Sequence, residues 1–323
     1  MLFTALTERF ALRYPIVNAP MAPQAGGTLA CAVSGAGGLG FVGADLNGDP
    51  AVLRADVADA RAGEGLPLGI GFLGWVLEKH PVLLDVAIES RPDLVSISAG
   101  DPTPYVARLH AAGIAVAAQA QTRDQALRAQ AAGVDVIVAQ GTEAGGHTGH
   151  IATLPLLQIV LDLVTDRPVL AAGGIGGPRG MAAALAAGAA GIWIGTPFLL
   201  AAEARVTEEA RAKLIASHEG DTVLTNVFDR AQGLPWPREI PGRALRNAFT
   251  DAWHGREDEL VQAPAAIAEY DAARKARDFR LAHIYAGESV GMFDRIRPAG
   301  EIVRQFGDGA EALLRAQLTA LLR

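Results

Sequence analysis

A repeated junction between helix and strand constrains the fold of this chain more than any other feature of its sequence. The segments "LHAAGIAVAAQ", "AQAAGVDVIVAQ" and "ALAAGAAGIWIG" each join an alanine-rich, helix-compatible stretch to a short apolar run through a glycine. Glycine readily adopts the left-handed conformation with which many helices end. A continuously apolar run is typical of a strand that is buried on both faces in a parallel sheet. The junction therefore indicates helix–strand units in series.

Extending this pattern along the chain predicts eight strands, at residues 14–20, 38–43, 67–73, 94–100, 114–120, 134–141, 168–174 and 191–198. Helix-compatible stretches separate them. Eight such alternations within about 200 residues favour an α/β fold of the (β/α)8 TIM barrel type. An open, doubly wound sheet built from the same units is the structural alternative.

The character of the sequence changes after Ala202. Residues 203–303 carry more charge and include irregular stretches such as "QGLPWPREIPG" beside helix-compatible ones such as "APAAIAEYDAARKARDF". We interpret residues 1–202 as the barrel and residues 203–303 as a helical substrate domain, or lid. Residues 304–323 are predicted to return as a helix that closes against the barrel.

Composition excludes several classes of protein. The net charge is −7 and no basic cluster occurs, which argues against a nucleic-acid partner. The three lysines lie outside glycine-rich loops, so there is no P-loop. Cys31 is the single cysteine, so the chain forms no internal disulfide, and its apolar setting in "TLACAV" predicts a packed, inert thiol.

Nothing in the sequence favours a membrane protein. The first residues, "MLFTALTERFALRYP", lack the layout of a signal peptide. An uncharged stretch from Met181 to Ala202 has the length of a membrane span, but glycines and Pro197 interrupt it. It is better interpreted as a helix followed by a strand. We therefore expect a soluble, cytoplasmic protein.

Two groups of glycines have different meanings. "GAGGLG" at residues 35–40 matches the dinucleotide-binding pattern GxGxxG, but it follows a helix and precedes a strand, the reverse of the required order. A tight turn is the better interpretation. "AAGGIGG" (171–177) and "WIGT" (193–196) instead end the seventh and eighth strands, where barrel enzymes often bind a phosphate. Ordinary turns are the alternative there.

The loop "QGTEAGGHTGH" (140–150) follows the sixth strand and carries two histidines, His147 and His150. Glu143 is the one further metal ligand evident nearby, so we predict no metal site. There is no GxSxG motif to support serine hydrolysis. The remaining interpretation is a histidine that acts beside a cofactor as a base or hydrogen-bond donor. A structural role is the alternative for His147 and the favoured interpretation for His150.

These motifs together resemble the nitronate monooxygenase family, formerly called 2-nitropropane dioxygenase. The matching segments are "NAPM" after the first strand, "QGTEAGGHTG" after the sixth, "AAGGI" after the seventh, "GTPFL" in the eighth, and the late "YAGESVG" and "RPAGEIV". The resemblance covers nearly the whole chain. It implies an FMN-dependent oxidoreductase that converts an alkyl nitronate, such as propionate 3-nitronate, and dioxygen into a carbonyl compound and nitrite.

The resemblance also implies roles for individual residues. Asn18, Ala19 and Met21 would lie near the isoalloxazine ring, and Gln140 and Gly145 would contact the flavin or its ribityl chain. The phosphate would be held by Gly173, Gly174, Gly195 and Thr196. His147 would be the catalytic base or proton donor, and Ser289 would reach the pocket from the lid. Phe72 and Trp75, which follow the third strand, are candidates for the pocket wall, with a core role as the alternative for each.

The sequence departs from the family pattern at two positions. Many members carry asparagine in the third strand where this chain has Gly71, so a polar flavin contact is missing or is supplied by Gln119. Thr148 replaces a common arginine. The enzymatic alternative is an FMN-dependent NAD(P)H:quinone or enoyl reductase, and the second alternative is a non-catalytic flavin-binding barrel. The expected partners are a small-molecule substrate and dioxygen, with a homo-oligomer left open.

Overall fold

Eight parallel strands form the central sheet in a computed structural model that describes residues 2–321. The strand order is β1-β9-β8-β6-β5-β4-β3-β2, and an isolated parallel bridge between Val17 and Leu39 joins the two edges. The sheet is therefore a nearly closed (β/α)8 barrel, as predicted. The strands of the protein are β1 (Ile16–Asn18), β2 (Gly40–Gly43), β3 (Leu68–Leu73), β4 (Leu94–Ser98), β5 (Ala115–Ala120), β6 (Val136–Gln140), β7 (Gly146–His147), β8 (Val169–Ala172), β9 (Gly191–Ile194), β10 (Thr222–Thr225) and β11 (Gly242–Leu245).

Helices surround the barrel and build the lid. They are α1 (Ala5–Phe10), α2 (Gly27–Gly35), α3 (Pro50–Ala60), α4 (Gly74–Lys79), α5 (Val82–Ser90), α6 (Thr103–Ala111), α7 (Arg123–Ala131), α8 (Thr153–Leu163), α9 (Pro178–Ala186), α10 (Thr196–Leu199), α11 (Glu208–Ala216), α12 (Val227–Gln232), α13 (Ala248–Trp253), α14 (Glu257–Leu260), α15 (Pro264–Ala276) and α16 (Ala299–Leu321), with short 3-10 helices at Glu219–Asp221 and Glu288–Met292. Within residues 2–321, no helix combines the length and apolar character needed to cross a membrane.

The repeated glycine junctions adopt the predicted conformation. Gly113, Gly133 and Gly188 have φ angles of 76°, 83° and 107°, so each ends its helix in the left-handed region. The glycines of "GAGGLG" form a turn between the end of α2 and the start of β2, with Gly37 at a φ of 95°. The interpretation of that motif as a tight turn is confirmed.

Two apolar layers hold the barrel together. Inward-facing side chains, including those of Val17, Phe41, Val138, Leu170 and Trp193, fill its interior. The alternate residues of the same strands pack outward against the helices. At the amino-terminal end of the strands, α1 closes the interior, because Leu6 and Leu12 belong to the inner layer. The opposite end, where the strands finish, is left for the site.

Helix α16 packs against α9 and α2 on the outside of the barrel. It begins at residue 299, five residues before the predicted start at 304, and residues 322 and 323 of the predicted helix lie outside the described residues. Phe306 and Ala310 of this helix are buried in the outer layer. The last helix thus packs on the outside of the barrel.

The lid is mainly helical, but it also contains two strands that the sequence analysis did not predict. Strands β10 and β11 pair in antiparallel fashion, and β7 from the barrel loop adds a third strand to them. In that register His147 lies opposite Gly242, and Gly146 lies opposite Arg243. A separate apolar cluster, with Phe228, Phe249 and Tyr270 at its centre, fills the lid. The loop that carries His147 is therefore held from above by the lid.

We predict that residues 203–303 do not fold without the barrel. The fragment would lack β7, and Leu199 and Leu200 of the barrel, which pack with Leu214, Leu245 and Val290, would also be missing. An isolated two-stranded ribbon is marginally stable at best. Expressed alone, the fragment should show no cooperative thermal transition by circular dichroism, whereas the full chain should show one. A cooperative transition in the fragment would contradict the prediction.

Candidate active site

The carboxyl end of the barrel is floored by small or polar side chains. Strand residues alternate in direction, so a residue two positions beyond an inward-facing one also faces inward. By this rule Ala19, Gln119, Gln140 and Gly195 face inward, because they follow Val17, Ala117, Val138 and Trp193 of the inner layer. Gly71 faces inward as well, because a Cβ on Gly69 would meet the inner-layer ring of Phe41. These five were all predicted to contact the cofactor. Together they lie around the mouth of the barrel.

Gly71 lies close to the side chain of Pro20, which leaves no space for a Cβ atom. A Cβ atom built on Gly71 would lie 2.3 Å from the Cβ of Pro20 and 3.1 Å from Oγ of Ser96. An asparagine, which many family members carry here, would therefore collide with the proline. Gln119 is partly exposed on the same inward face, which is the position required if it supplies the polar contact instead.

Asn18 has a structural task that the resemblance did not suggest. Its side chain is fully buried and points to the seam of the barrel, where Oδ1 accepts a hydrogen bond from the Phe41 N–H (2.7 Å) and Nδ2 donates to the Phe41 carbonyl (3.0 Å). The Asn18 side chain thus adds two hydrogen bonds between β1 and β2. What Asn18 can still offer a flavin is its backbone.

Gln140 is positioned by a residue that the sequence analysis did not single out. Gln121, just beyond β5, donates from Nε2 to Oε1 of Gln140 (2.8 Å) and to the His147 carbonyl (3.2 Å). Both glutamines are buried. This pair links the barrel floor to the histidine loop, so the two parts of the site keep a fixed distance.

The loop after β8 presents unpaired backbone donors. Within residues 2–321, the N–H groups of Gly174, Ile175 and Gly176 donate to no protein acceptor. Gly173 and Gly174 have φ angles of 102° and 68°, which turn this backbone sharply before α9 begins. The Thr196 hydroxyl, at the start of α10, accepts from the Gly287 N–H (2.9 Å) and keeps its own O–H to donate. Such a set of converging donors suits a phosphate.

Gly145 serves a contact between backbones. A Cβ atom there would lie 2.7 Å from the Ala286 carbonyl carbon, and one on Gly287 would lie 2.6 Å from the Glu143 carbonyl oxygen. The glycine of "EAGGH" that was expected at the flavin is thus needed to let the lid segment cross the histidine loop. Ser289 packs against Gly176, so it lies beside the loop that follows β8. The lid residue that meets the His147 ring is Tyr285.

His147 is held on two sides by the lid. Its Nε2 atom lies 2.9 Å from Oδ1 of Asp229 on α12. The Trp236 ring stacks on the imidazole, with centroids 3.5 Å apart and planes at 2°. The Tyr285 ring lies 5.4 Å away at a tilt. The side chain is 11% exposed, and within the described chain its Nδ1 atom has no hydrogen-bonding partner. One ring nitrogen is therefore fixed while the other is free.

The surroundings of this pair have few charges. Desolvation raises the pKa of the Tyr285 hydroxyl well above its usual value, and the negative charge of Asp229 adds to that rise. Desolvation also lowers the pKa of His283 to about 4, so its ring is neutral at pH 7 and its Nδ1 is 2.7 Å from the Tyr270 hydroxyl. Asp229 is 2% exposed, and its Oδ2 atom is buried with no hydrogen-bonding partner among residues 2–321.

The three remaining predicted pocket residues divide into two groups. Trp75 packs edge-on against Trp236, at 6.2 Å and 82°, so it belongs to the same aromatic wall as the His147 ring. Met21 lies beside Gly195, with its Sδ 3.1 Å from where a Cβ would stand. Phe72 is 2% exposed in the outer layer between strands and helices. Of the two roles open to Phe72, the structure supports the core one.

The other polar residues of the histidine loop have structural roles. The Glu143 carboxylate accepts from the N–H and the hydroxyl of Thr153, both at 2.8 Å, and so caps α8. Thr148 is fully buried and donates to the Gly141 carbonyl (2.8 Å). His150, expected to be structural, is instead exposed to solvent. Among residues 2–321, no three His, Cys, Asp or Glu side chains come together as a metal site.

Several residues of the site could not be found from sequence motifs. Asp229 meets His147 across 82 positions of the chain. Trp236 lies in the irregular "QGLPWPREIPG" stretch, and Tyr285 lies just inside the "YAGESVG" segment. A signal was present for Tyr285, because that segment had been matched to the family. None was present for Asp229, which stands in an ordinary helical context.

The fold and the site together define a barrel enzyme with free backbone N–H groups after β8 and a histidine–carboxylate pair under a lid. The nitronate monooxygenase family model matches residues 74–308, and the chain belongs to that family. It is thus a flavin-dependent oxidoreductase that acts on a small molecule.

Individual relatives agree. A nitronate monooxygenase of Neurospora crassa is 34% identical over 92% of this chain and 89% of its own length. A Mycobacterium tuberculosis protein named as a monooxygenase is 41% identical over 68% of this chain, a match that spans 60% of that relative. Among solved structures, FabK from Thermotoga maritima superposes with a TM-score of 0.86 at 30% identity, covering 99% of this chain and 100% of that one. Nitroalkane oxidase from Streptomyces ansochromogenes gives 0.81 at 29% identity, covering 98% and 100%.

Proposed function

We propose that the protein binds FMN in the barrel mouth and oxidises alkyl nitronates, such as propionate 3-nitronate, with dioxygen to a carbonyl compound and nitrite. The observation that carries the proposal is the position of His147, which the lid holds within the loop that follows β6 at the barrel mouth. The names of the relatives from Neurospora crassa and Streptomyces ansochromogenes, both of which concern nitro compounds, support the substrate class.

The residues at the mouth fit a flavin mononucleotide. The free N–H groups of Gly174, Ile175 and Gly176, with the Thr196 hydroxyl, would hold its phosphate. The small inward-facing residues Ala19 and Gly195 leave room for a planar ring, and Gln119 and Gln140 offer amide groups to it. When bound, FMN supplies the electron-transfer chemistry.

The protein contributes placement and shielding. His147, 11% exposed beneath Trp236, can donate a hydrogen bond to a nitro oxygen or accept a proton from the α-carbon. Trp75, Trp236 and Tyr285 surround the imidazole with aromatic surface and limit the access of water. In such a setting a hydrogen bond to an anionic substrate is stronger than it would be in water.

The test begins with the purified full-length protein. Heat release and chromatography should yield FMN, and propionate 3-nitronate added without oxygen should bleach the flavin absorption. With oxygen present, nitrite should appear. Release of FAD, or no flavin even after reconstitution, would overturn the cofactor assignment. Fast NADH oxidation without a nitro compound, and no bleaching by the nitronate, would favour a quinone or enoyl reductase instead.

We predict that Gly174→Val weakens FMN binding about tenfold, because a residue with a Cβ pays roughly 1–2 kcal/mol in the left-handed region. Gly174 has a φ of 68° in the loop with free N–H groups, so relief of this strain would turn the donors away. The measurement is the dissociation constant from flavin fluorescence.

Gly65→Val is the matched control for this prediction. Gly65 has a φ of 71°, and no heavy atom lies within 4 Å of its Cβ position. It therefore carries the same backbone strain in an exposed loop before β3. Equal loss of FMN in both variants would mean that general destabilisation, and not the loop after β8, controls retention.

A further inference from the structure

Asp229 is a buried carboxylate that faces the imidazole of His147, and the Tyr285 hydroxyl also lies near it. It is 2% exposed on α12, with Oδ1 at 2.9 Å from Nε2 of His147 and Oδ2 without a hydrogen-bonding partner in the described chain. An ionised carboxylate can only accept hydrogen bonds, so the nitrogen facing it must carry the hydrogen. A neutral imidazole protonated at Nε2 has its lone pair at Nδ1.

We propose that Asp229 is a positioning residue that keeps the hydrogen of His147 on Nε2 and thereby makes Nδ1 the base for a neutral carbon acid, a nitroalkane bearing an α-hydrogen. This inference rests on the proposed function and adds a positioning residue to it. Nδ1 is the atom of the ring that no described residue engages.

The proton transfer forms one N–H bond and breaks one C–H bond. Nδ1 of His147 takes the α-hydrogen of the nitroalkane as a proton, and an N–H bond forms. The electron pair of the broken C–H bond moves into the nitro group and gives the nitronate. The imidazole becomes an imidazolium, whose charge Asp229 compensates at 2.9 Å. The nitronate then stands where the proposed oxidation requires it.

The tyrosines and the histidine near His147 and Asp229 do not supply a negative charge. Tyr285 and Tyr270 stay protonated because burial raises the pKa of each, and His283 stays neutral because burial lowers its pKa. The positive charge of Arg274, on α15, acts to lower the pKa of Tyr270 and of His283. The negative charge available to an imidazolium at His147 is thus that of Asp229.

Trp236 completes the arrangement. Its ring covers one face of the imidazole in nearly parallel contact, at 3.5 Å and 2°. Rotation of the histidine about its ring bond would break both the stack and the bond to Asp229. The ring is therefore fixed in its plane by the tryptophan and in its tautomer by the carboxylate.

The first experiment measures the tautomer directly in the flavin-loaded protein. Long-range proton–nitrogen NMR spectra of the histidine rings distinguish Nε2–H from Nδ1–H, and the His147 signals are assigned as those lost in His147→Asn. We expect Nε2–H in the wild type and Nδ1–H in Asp229→Asn, because the new amide can donate to Nε2. A wild-type ring with its hydrogen on Nδ1 would overturn the proposal.

The second experiment measures turnover of nitroethane and of ethyl nitronate. Asp229→Asn should lower kcat for nitroethane about 100-fold while it lowers kcat for the nitronate far less, as expected when a base is held in the wrong tautomer. Asp251→Asn, an exposed aspartate on α13 of the same lid, is the control and should change neither rate. An Asp229→Asn variant with the wild-type ratio of the two rates would overturn the proposal.

The double variant separates a shared role from general damage. If Asp229 acts through His147, then His147→Asn with Asp229→Asn should be no slower on nitroethane than His147→Asn alone. Additive losses would contradict that dependence. Failure of the proposed function shows itself differently: neither nitro compound would turn over in the wild type, while the NMR result on the tautomer would still stand or fall by itself.

Discussion

Replacement of His147 by asparagine is expected to lower turnover of a neutral nitroalkane by about 10²–10⁴, the usual contribution of a well-placed general base. The same change should spare oxidation of a preformed nitronate to a greater degree, because that substrate has already lost its proton. The measurement is kcat for nitroethane and for ethyl nitronate, with the FMN content of each preparation determined first.

His150→Asn is the matched control, since His150 is the other histidine of the same loop and is exposed to solvent. It should change neither rate. The thermal transition of His147→Asn must also be recorded, because the change removes the Trp236 stack and leaves the buried Asp229 without its partner.

Two results would contradict the role of His147 as a base. Equal, large losses on both substrates with FMN retained would make the histidine a binder of the anionic nitro group. Unchanged rates on both substrates would make it structural, held by Asp229 for the stability of the lid. In that case the glycines alone would account for "QGTEAGGHTGH".

The barrel was predictable from the sequence because its signals are local. The strands are mainly apolar runs, and glycines such as Gly113 and Gly133 mark helix ends through a backbone conformation that residues with a Cβ adopt less readily. Inward and outward directions along a strand then follow from alternation alone. By this alternation Gln119 and Gln140 face the inside of the barrel.

The upper half of the site was less accessible to the same reasoning. Asp229 and Trp236 reach His147 only after α12 and the following loop fold over the barrel, and no periodicity or spacing encodes that contact. Strand β7 is two residues long, and its pairing with β11 depends on a partner 95 positions away at Gly242. Such contacts are set by packing between distant segments.

The glycines of the site also show what could not be predicted from the sequence. Gly145 was expected to contact the flavin or its ribityl chain and Gly173 to hold the phosphate. Cβ atoms built at these positions would meet Ala286 and Thr153 of the protein itself. A glycine-rich motif shows that a close approach occurs but not which partner approaches. The donors left free at Gly174–Gly176 are therefore better evidence for a phosphate than the glycines as such.

The second large effect is expected at Gly287, where the lid crosses closely over the histidine loop. Gly287→Ala should lower the thermal transition by on the order of 5 °C, because one extra methyl group in a packed contact costs about 1–3 kcal/mol. A Cβ at this position would lie 2.6 Å from the Glu143 carbonyl oxygen and 3.0 Å from the Gly145 nitrogen. Both are backbone atoms, so neither can rotate away.

Activity should fall by more than the stability change suggests. Glu288 N–H donates to the Glu143 carbonyl (2.9 Å), and the Gly287 N–H donates to the Thr196 hydroxyl (2.9 Å), so displacement of this segment disturbs the histidine loop and the phosphate cradle together. A misplacement of about 1 Å at a catalytic group can cost on the order of 10² in rate. We expect a loss of that size in kcat/KM for the nitronate.

Gly220→Ala is the control, because it makes the same change from glycine to alanine without creating a close contact. Gly220 lies in the lid with no heavy atom within 4 Å of its Cβ position, and its φ is not in the left-handed region. Gly287 has a φ of −83°, so alanine is compatible with its backbone as well. The two substitutions therefore differ in what the new methyl group meets. If Gly287→Ala keeps wild-type stability and rate, the lid can lift from the histidine loop at little cost, and the site is held by β7 and Asp229 alone.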